Sequence, residues 1–159
     1  MDRVPENQAK AIREGLLGKK KTIATAESVT SGLLQYAFST IPDASGFFQG
    51  GITAFNLAQK FKHLNVEPIH AQSVNCVSSK VAKEMAIHCC ELFASDWGLG
   101  ITGYASPVPE SDNKCFAYFA ITYEGKIVVS GCLEPKNTDP AKIQEEYVRA
   151  VLSELEKLL

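Results

Sequence analysis

Between Glu6 and Leu17 the apolar residues Ala9, Ile12, Leu16 and Leu17 recur at helical spacing, and Gly18 follows as a terminator, so the chain opens with a predicted helix. Lys21 to Ala26 reads as a short β-strand. The hydroxyl residues Ser28, Thr30 and Ser31 then suit the start of a second helix running to about Phe38. Pro42 to Gly46 turns the chain, Phe47 to Thr53 reads as a strand, and Asn56 to Leu64 reads as a helix with Leu57, Phe61 and Leu64 on one stripe. Val66 to Val77 shows no regular pattern. Ser78 or Ser79 can cap a helix whose Val81, Met85, Cys89 and Leu92 form a buried stripe. Trp97 to Thr102 is the next strand, followed by a proline-interrupted loop from Gly103 to Asn113. Lys114 to Tyr123 and Lys126 to Leu133 flank Glu124-Gly125, a hairpin signal. The final helix, from about Pro140 to Leu158, carries Ile143, Tyr147, Val151, Leu155 and Leu158 on one face, and Pro140 is tolerated in its first turn.

Helices alternating with strands, plus one late hairpin, predict an α/β fold: a three-layer α/β/α sandwich with a mixed sheet. No internal repeat or low-complexity segment interrupts it. The 159 residues, 45% hydrophobic and 21% charged, suit one domain over 1–159. A chain of this length buries roughly 70% of its unfolded surface, so metal or disulfide staples are not needed. Cys76, Cys89, Cys90, Cys115 and Cys132 form no C-x-x-C pair and follow no secretory segment, which makes a reducing cytoplasm the expected location. A net charge of −2 cannot supply the positive field that nonspecific nucleic-acid binding needs. Lys19, Lys20 and Lys21 read as a solvated connection between helix and strand. No apolar run reaches the roughly 20 residues that span a bilayer, so neither nucleic acid nor membrane is an expected partner.

Ligands of open α/β sheets collect beyond the carboxyl ends of the strands. Three segments fall there. In the first, Thr25-Ala26-Glu27-Ser28-Val29-Thr30-Ser31-Gly32, Ser28 is either a nucleophile beside helix-end amides or simply a helix cap. A serine nucleophile needs a base, and His63, His70 and His88 give no Ser-His-Asp order. The second segment, Gly51 to Lys60, offers Lys60, which is either a base made neutral by burial or a surface helix lysine. The third, Thr102 to Pro109, places Thr102, Gly103, Tyr104 and Ser106 where they can line a cleft. Pro107 and Pro109 lack N–H groups, so a rigid structural loop is the equal alternative. The histidine and cysteine spacings do not build a zinc site, and no metal or cofactor is expected.

Together these segments resemble the nicotinamide-nucleotide amidases, a family also found as the C-terminal domain of competence- and damage-inducible CinA proteins. The family motif T-A-E-S-C-T-G-G stands here as Thr25 to Gly32, with Val29 and Ser31 as the differences. G-x-x-x-Y-x-x-x-x-K corresponds to Gly51 to Lys60, and K-x-x-L-L-G-V to Lys60 to Val66. G-A-V-S corresponds to Asn75-Cys76-Val77-Ser78, and S/T-G-I-A-G-P to Thr102-Gly103-Tyr104-Ala105-Ser106-Pro107. The resemblance spans nearly the whole chain and includes nothing like the CinA N-terminal domain.

The resemblance implies hydrolysis of the carboxamide of nicotinamide mononucleotide to nicotinic acid mononucleotide and ammonia. By position it assigns Ser28 as nucleophile and Lys60 as base, with helix-start amides holding the oxyanion. Glu27, Thr30, Gly32, Phe55, Thr102, Gly103, Tyr104 and Ser106 are the implied substrate-binding residues. A small-molecule amide or nucleotide is the expected ligand, and a homo-oligomer the expected assembly. Three features depart from the family. Phe55 replaces a tyrosine and cannot relay a proton, Ser106-Pro107-Val108-Pro109 stands where the family's loop continues G-P-x-G-G and so lacks its flexible backbone donors, and Pro135 to Gln144 carries Lys136 and Lys142 in place of phosphate-facing arginines. The alternative is therefore an inactive relative that binds a nucleotide-like ligand or serves as an interaction subunit.

Overall fold

The computed structural model describes residues 3–159. Its elements, in chain order, are α1 (Glu6–Gly18), β1 (Ile23–Glu27), α2 (Leu33–Ser39), β2 (Phe48–Thr53), α3 (Leu57–Leu64), α4 (Pro68–Ser73), α5 (Ser79–Phe93), β3 (Trp97–Gly103), β4 (Ala117–Tyr123), β5 (Lys126–Leu133) and α6 (Pro140–Leu158). The sheet order is β2-β1-β3-β4-β5. β1 runs parallel to both β2 and β3, while β3, β4 and β5 pair antiparallel, so the sheet is mixed.

The period-two alternation of β1 divides the core between two faces. Ile23 joins Leu99 and Ile101 of β3 beneath α1, α2 and α6, which contribute Ile12, Leu16, Leu34, Phe38, Tyr147 and Val151. Ala24 and Ala26 face the other way, onto Leu64 of α3 and Val81, Met85 and Cys89 of α5. Helices on both faces make this the three-layer α/β/α sandwich. On the α5 side the packing is close: a Cβ on Gly98 or Gly100 would collide with the Ala86 or Ala82 carbonyl oxygen. The hairpin between β4 and β5 turns through Glu124 and Gly125 at φ of 49° and 75°, the two positive values a tight hairpin turn requires.

Four expectations are corrected. The stretch 66–77 is not irregular throughout. It contains α4, whose amino end is held by both carboxylate oxygens of Glu67, accepting from Ile69 N–H at 2.9 Å and His70 N–H at 2.7 Å. A helix of six residues is too short to display a stripe. Leu92 is not on the buried face of α5, being 51% exposed next to Phe93, where the helix ends. In α3, Phe61 is 53% exposed and Lys60 only 1%, the reverse of what the polarity of the two side chains suggests. Finally, α2 begins at Leu33, after a turn in which Ser31 and Gly32 take φ of 50° and 98°. Ser28 therefore stands ahead of the helix, not at its cap.

No helix among the described residues is long and apolar enough to cross a membrane.

Candidate functional site

At the carboxyl end of β1 the chain is pinned between its two parallel neighbours. The Ala54 N–H donates to the Glu27 carbonyl at 2.9 Å, and the Ser28 N–H donates to the Ile101 carbonyl at 3.1 Å. These bonds hold Ser28 just beyond the carboxyl end of β1, between the ends of β2 and β3, the usual ligand position in such folds.

The fully buried Glu27 side chain supplies the cap of α2. One carboxylate oxygen accepts the Thr30 hydroxyl at 2.6 Å, the Gly32 N–H at 3.1 Å and the Leu34 N–H at 3.0 Å, and the other accepts the Gln35 N–H at 2.8 Å. A carboxylate among helix-end amides satisfies donors that would otherwise be orphaned and complements the positive end of the helix. The helix-start amides expected to hold an oxyanion are thus already engaged. The rest of the turn accounts for itself: the Ser31 N–H donates to the Ser28 carbonyl and the Leu33 N–H to the Thr30 carbonyl. Only the Val29 and Thr30 N–H groups find no acceptor among the described residues of this turn.

Lys60 comes to Ser28 from α3. The Asn56 side chain caps that helix by accepting the Gln59 N–H at 3.0 Å, which fixes the first turn and aims the next residue inward. Lys60 Nζ lies 2.9 Å from Ser28 Oγ and 2.9 Å from the Ala54 carbonyl oxygen. Burial pushes its pKa below the ordinary lysine value, only partly opposed by the nearby Cys76 thiol. An ammonium has three protons to place and meets two partners here, whereas a neutral amine satisfies both partners with one N–H and its lone pair. The geometry therefore suits an uncharged amine facing a hydroxyl, the arrangement that allows proton abstraction from serine.

Ser28 opens into a cleft of about 620 Å³. Of the residues expected from the sequence, Phe55, Thr102, Gly103, Tyr104 and Ser106 line it with Ser28 and Lys60. Glu27, Thr30 and Gly32 do not: the first two are fully buried and all three belong to the capping network behind the serine. Thr102 donates its hydroxyl to the Cys76 carbonyl at 2.7 Å, so it ties β3 to the turn after α4. Phe55 is 71% exposed at the rim, so it does not pack as a buried aromatic. Lys136 and Lys142 are not among the lining residues. His63, His70 and His88 bond to Gln59, Ser78 and Glu91, away from Ser28.

The cleft also contains residues that sequence reasoning passed over. Gln72, Asn75 and Cys76 come from the stretch read as irregular, and Gln144 comes from α6. Gln144 Nε2 donates to the Val29 carbonyl at 2.8 Å, and Tyr147 of the same helix donates its hydroxyl to the Tyr104 carbonyl at 2.8 Å. Asn75 Nδ2 donates to the Tyr104 hydroxyl at 3.1 Å. The available signal was the polar Gln144 one turn before the buried Tyr147, close to the apolar stripe of α6.

Comparison with known proteins gives the same architecture and ties it to a family. The protein is similar to a CinA-like protein of Picosynechococcus sp., with 36% identity over 112 residues, covering 70% of this chain and 27% of that protein. It is also similar to a CinA-like protein of Prochlorococcus marinus, with 43% identity over 101 residues, covering 63% of this chain and 24% of the relative. The chain thus matches about a quarter of the length of these relatives. Among solved structures, a competence-damaged protein (CinA) superfamily protein from Escherichia coli superimposes with a TM-score of 0.90 at 29% identity, covering 97% of this chain and 90% of that one. A competence/damage inducible protein from Agrobacterium tumefaciens shares the fold with a TM-score of 0.88 at 22% identity, with 99% of both chains covered. The CinA C-terminal domain matches residues 5–159, and the chain belongs to that family as a divergent member.

Proposed function

We propose that this protein is a serine-lysine amidohydrolase acting on a small-molecule carboxamide, with Ser28 as nucleophile and Lys60 as base. The observation that carries this reading is the 2.9 Å separation of Lys60 Nζ from Ser28 Oγ, with both groups largely withdrawn from water.

The neutral amine of Lys60 takes the Ser28 hydroxyl proton as Oγ attacks the carboxamide carbon. The Ala54 carbonyl accepts a hydrogen bond from the same nitrogen and steadies the ammonium that forms. The oxyanion of the tetrahedral intermediate takes the Val29 N–H, the unengaged donor of the turn whose residue lines the cleft, since the N–H groups of Gly32, Leu34 and Gln35 serve Glu27. Lys60 returns its proton to the departing nitrogen, the C–N bond breaks, and ammonia leaves an acyl-Ser28 ester. Water enters, gives a proton to Lys60, attacks the ester carbon, and Oγ recovers that proton as the carboxylic acid departs. Carboxamide and water are consumed, and carboxylic acid and ammonia are formed.

The burial of Glu27 supports this reading indirectly. Its four hydrogen bonds hold the Ser28 turn in place, and a preorganised turn is what positions donors before charge develops. The exposed Phe55 ring favours the second reading, a non-catalytic binder, because Phe55 brings to the cleft no hydroxyl that could share the proton of Lys60. Ammonia release from nicotinamide mononucleotide and its analogues, measured with wild-type protein and Ser28→Ala, separates the two. The hydrolase reading expects turnover that disappears in Ser28→Ala. Turnover unchanged in that variant removes Ser28 from the chemistry, and ligand-dependent stabilisation without turnover supports the binder.

A further inference from the structure

The turn that follows β1 contains two left-handed residues, Ser31 and Gly32, a conformation that persists only where surrounding bonds hold it. Glu27 holds the far side of the turn, through Thr30, Gly32, Leu34 and Gln35. The two peptide groups that flank Val29 are held by other means. The first runs from the Ser28 carbonyl to the Val29 N–H, and its oxygen accepts the Ser31 N–H at 3.1 Å. N–H and C=O point in opposite directions in a trans peptide, so this bond aims the Val29 N–H away from Ser31.

The second peptide runs from the Val29 carbonyl to the Thr30 N–H, and its oxygen is held from the last helix. Gln144, 115 positions further along the chain, donates its Nε2 to that oxygen at 2.8 Å. Only the nitrogen end of a carboxamide can donate to a carbonyl, so the partner fixes which way the side chain lies. The helix is a firm base for this bond. Ile143 and Tyr147, on either side of Gln144, are buried, and the Tyr147 hydroxyl donates to the Tyr104 carbonyl at 2.8 Å. The Val29 side chain is buried in the same core. Rotation of Val29 about its backbone bonds is therefore resisted by core packing, by the bond to Ser31 and by Gln144. Lys60 Nζ is held separately, by Ser28 Oγ and the Ala54 carbonyl.

From this arrangement we infer that Gln144 is a positioning residue for the chemistry at Ser28. It locks the Val29 peptide so that the Val29 N–H is aimed at the oxyanion before charge develops, and it does so without touching the reacting atoms. This rests on the proposed amidohydrolase reading, in which the Val29 N–H is the oxyanion donor. Without the Nε2 donor, the Val29 carbonyl is free to turn towards water in the cleft, and the N–H on the same residue turns with it. The loss falls on the transition state and not on substrate binding.

The test is steady-state ammonia release from nicotinamide mononucleotide by wild type, Gln144→Met, Gln144→Glu and Gln144→Arg, with melting curves for each. Methionine keeps the length without a donor, glutamate keeps the shape and sets an acceptor against the Val29 carbonyl, and arginine restores N–H groups. The Met and Glu variants are expected to lose roughly 10–100-fold in kcat with KM changed less than about threefold, the pH inflection of Lys60 unmoved, and most of the rate recovered in Gln144→Arg. A merely structural role would move Tm without this split or this rescue. If Gln144→Met does not fold, the contrast between Glu and Arg decides. Unchanged kcat in the Met and Glu variants overturns the inference, as does an equal loss in Gln144→Arg or a loss confined to KM, which would make Gln144 a ligand contact. A fluorophosphonate gives a second readout, because Ser28 Oγ bonds to phosphorus as fluoride leaves and the phosphoryl oxygen takes the oxyanion position. Its labelling rate is expected to fall in the same order. Wild-type protein that neither releases ammonia nor takes the label sinks the hydrolase reading, and this inference with it. Active wild type with indifferent Gln144 variants sinks the inference alone.

Discussion

Lys21 and Lys60 occupy opposite ends of the region around β1, and the same side chain has been put to opposite uses. Lys21, just before the strand, is partly exposed, lies 5.3 Å from the centroid of the Tyr123 ring, and sits 3.2 Å from both the Asp96 and Glu124 carboxylates. Tyr123, Glu124 and Asp96 together raise its pKa above the ordinary lysine value, so it stays charged. Lys60, beyond the other end of the strand, is buried against a hydroxyl and a carbonyl, with no carboxylate bonded to it, and its pKa is lowered. A lysine with acidic partners ties strand ends together, while a lysine stripped of water and of counter-charge gives up its proton more readily. The difference lies in the surroundings and not in the residue.

The sharpest way to break this comparison is to remove the chemistry. Ser28→Ala is expected to lower kcat on any turned-over amide by on the order of 10⁴-fold or more, read by ammonia release. Lys60→Arg is expected to cost roughly 10²–10⁴-fold, because a guanidinium cannot give up its proton to act as a base. A near-normal rate in either variant, with an unchanged melting profile, would remove that residue from the mechanism.

The supporting network comes next in size. Glu27→Ala strips the acceptor from four donors at once, and a loss of roughly 3 kcal/mol or more is expected in denaturant unfolding. A loss below about 0.5 kcal/mol, the range of an ordinary surface substitution, would mean that the cap is not holding the turn.

Lys60→Met is expected to move stability the other way, raising it by roughly 0.5–2 kcal/mol at neutral pH while activity is lost. The sign follows from the lowered pKa. The unfolded chain, with lysine near 10.5, binds the proton more tightly than the folded one. The wild type is therefore penalised at low pH and recovers stability as pH climbs towards 10.5, and Lys60→Met flattens that rise. The same proton sets the rate: kcat/KM should increase with pH through an inflection below 10.5, where the amine becomes neutral. A rate independent of pH across that span would contradict a lysine base.

Lys21→Met gives the smallest effect. Its raised pKa contributes stability that is complete below 10.5 and is lost only as pH rises through the folded-state value. A slight fall in Tm at neutral pH, vanishing in strong alkali, is expected, with kcat unchanged because Lys21 is far from the cleft.

The helices that carry an unbroken apolar stripe were readable from the chain alone. α1 and α6 bury Ile12, Leu16, Tyr147 and Val151 as their spacing requires, and β5 spans the residues its alternation marks. Short or locally polar elements were not. α4 is held by Glu67 and by packing of Ala71, neither of which makes a periodic pattern in six residues. α3 misleads because the inward position is filled by Lys60 and the outward one by Phe61, so the side chains contradict the face they occupy. Such a local conflict between polarity and burial is expected at a functional site, where stability gives way to chemistry.

The site was legible to the same degree. Ser28 and Lys60 stand out as residue types at strand ends, and Thr102, Gly103, Tyr104 and Ser106 fall on the loop that the α/β pattern directs to a cleft. Glu27 is different. Its position beside Ser28 suggests contact with a ligand, yet its side chain turns inward to serve backbone amides. Helix-end donors exist only once the turn has folded, and a sequence of letters does not say which acceptor will reach them first.

What the sequence by itself determined is the layered α/β order, because hydrophobic period is a property of neighbouring residues along the chain. What only the tertiary structure decided is the meeting of residues 32 positions apart, the 2.9 Å between Lys60 and Ser28, together with the loss of water that changes the lysine's proton affinity. Burial and distance are set by the packing of α3 and α5 on the sheet, and no local pattern fixes either.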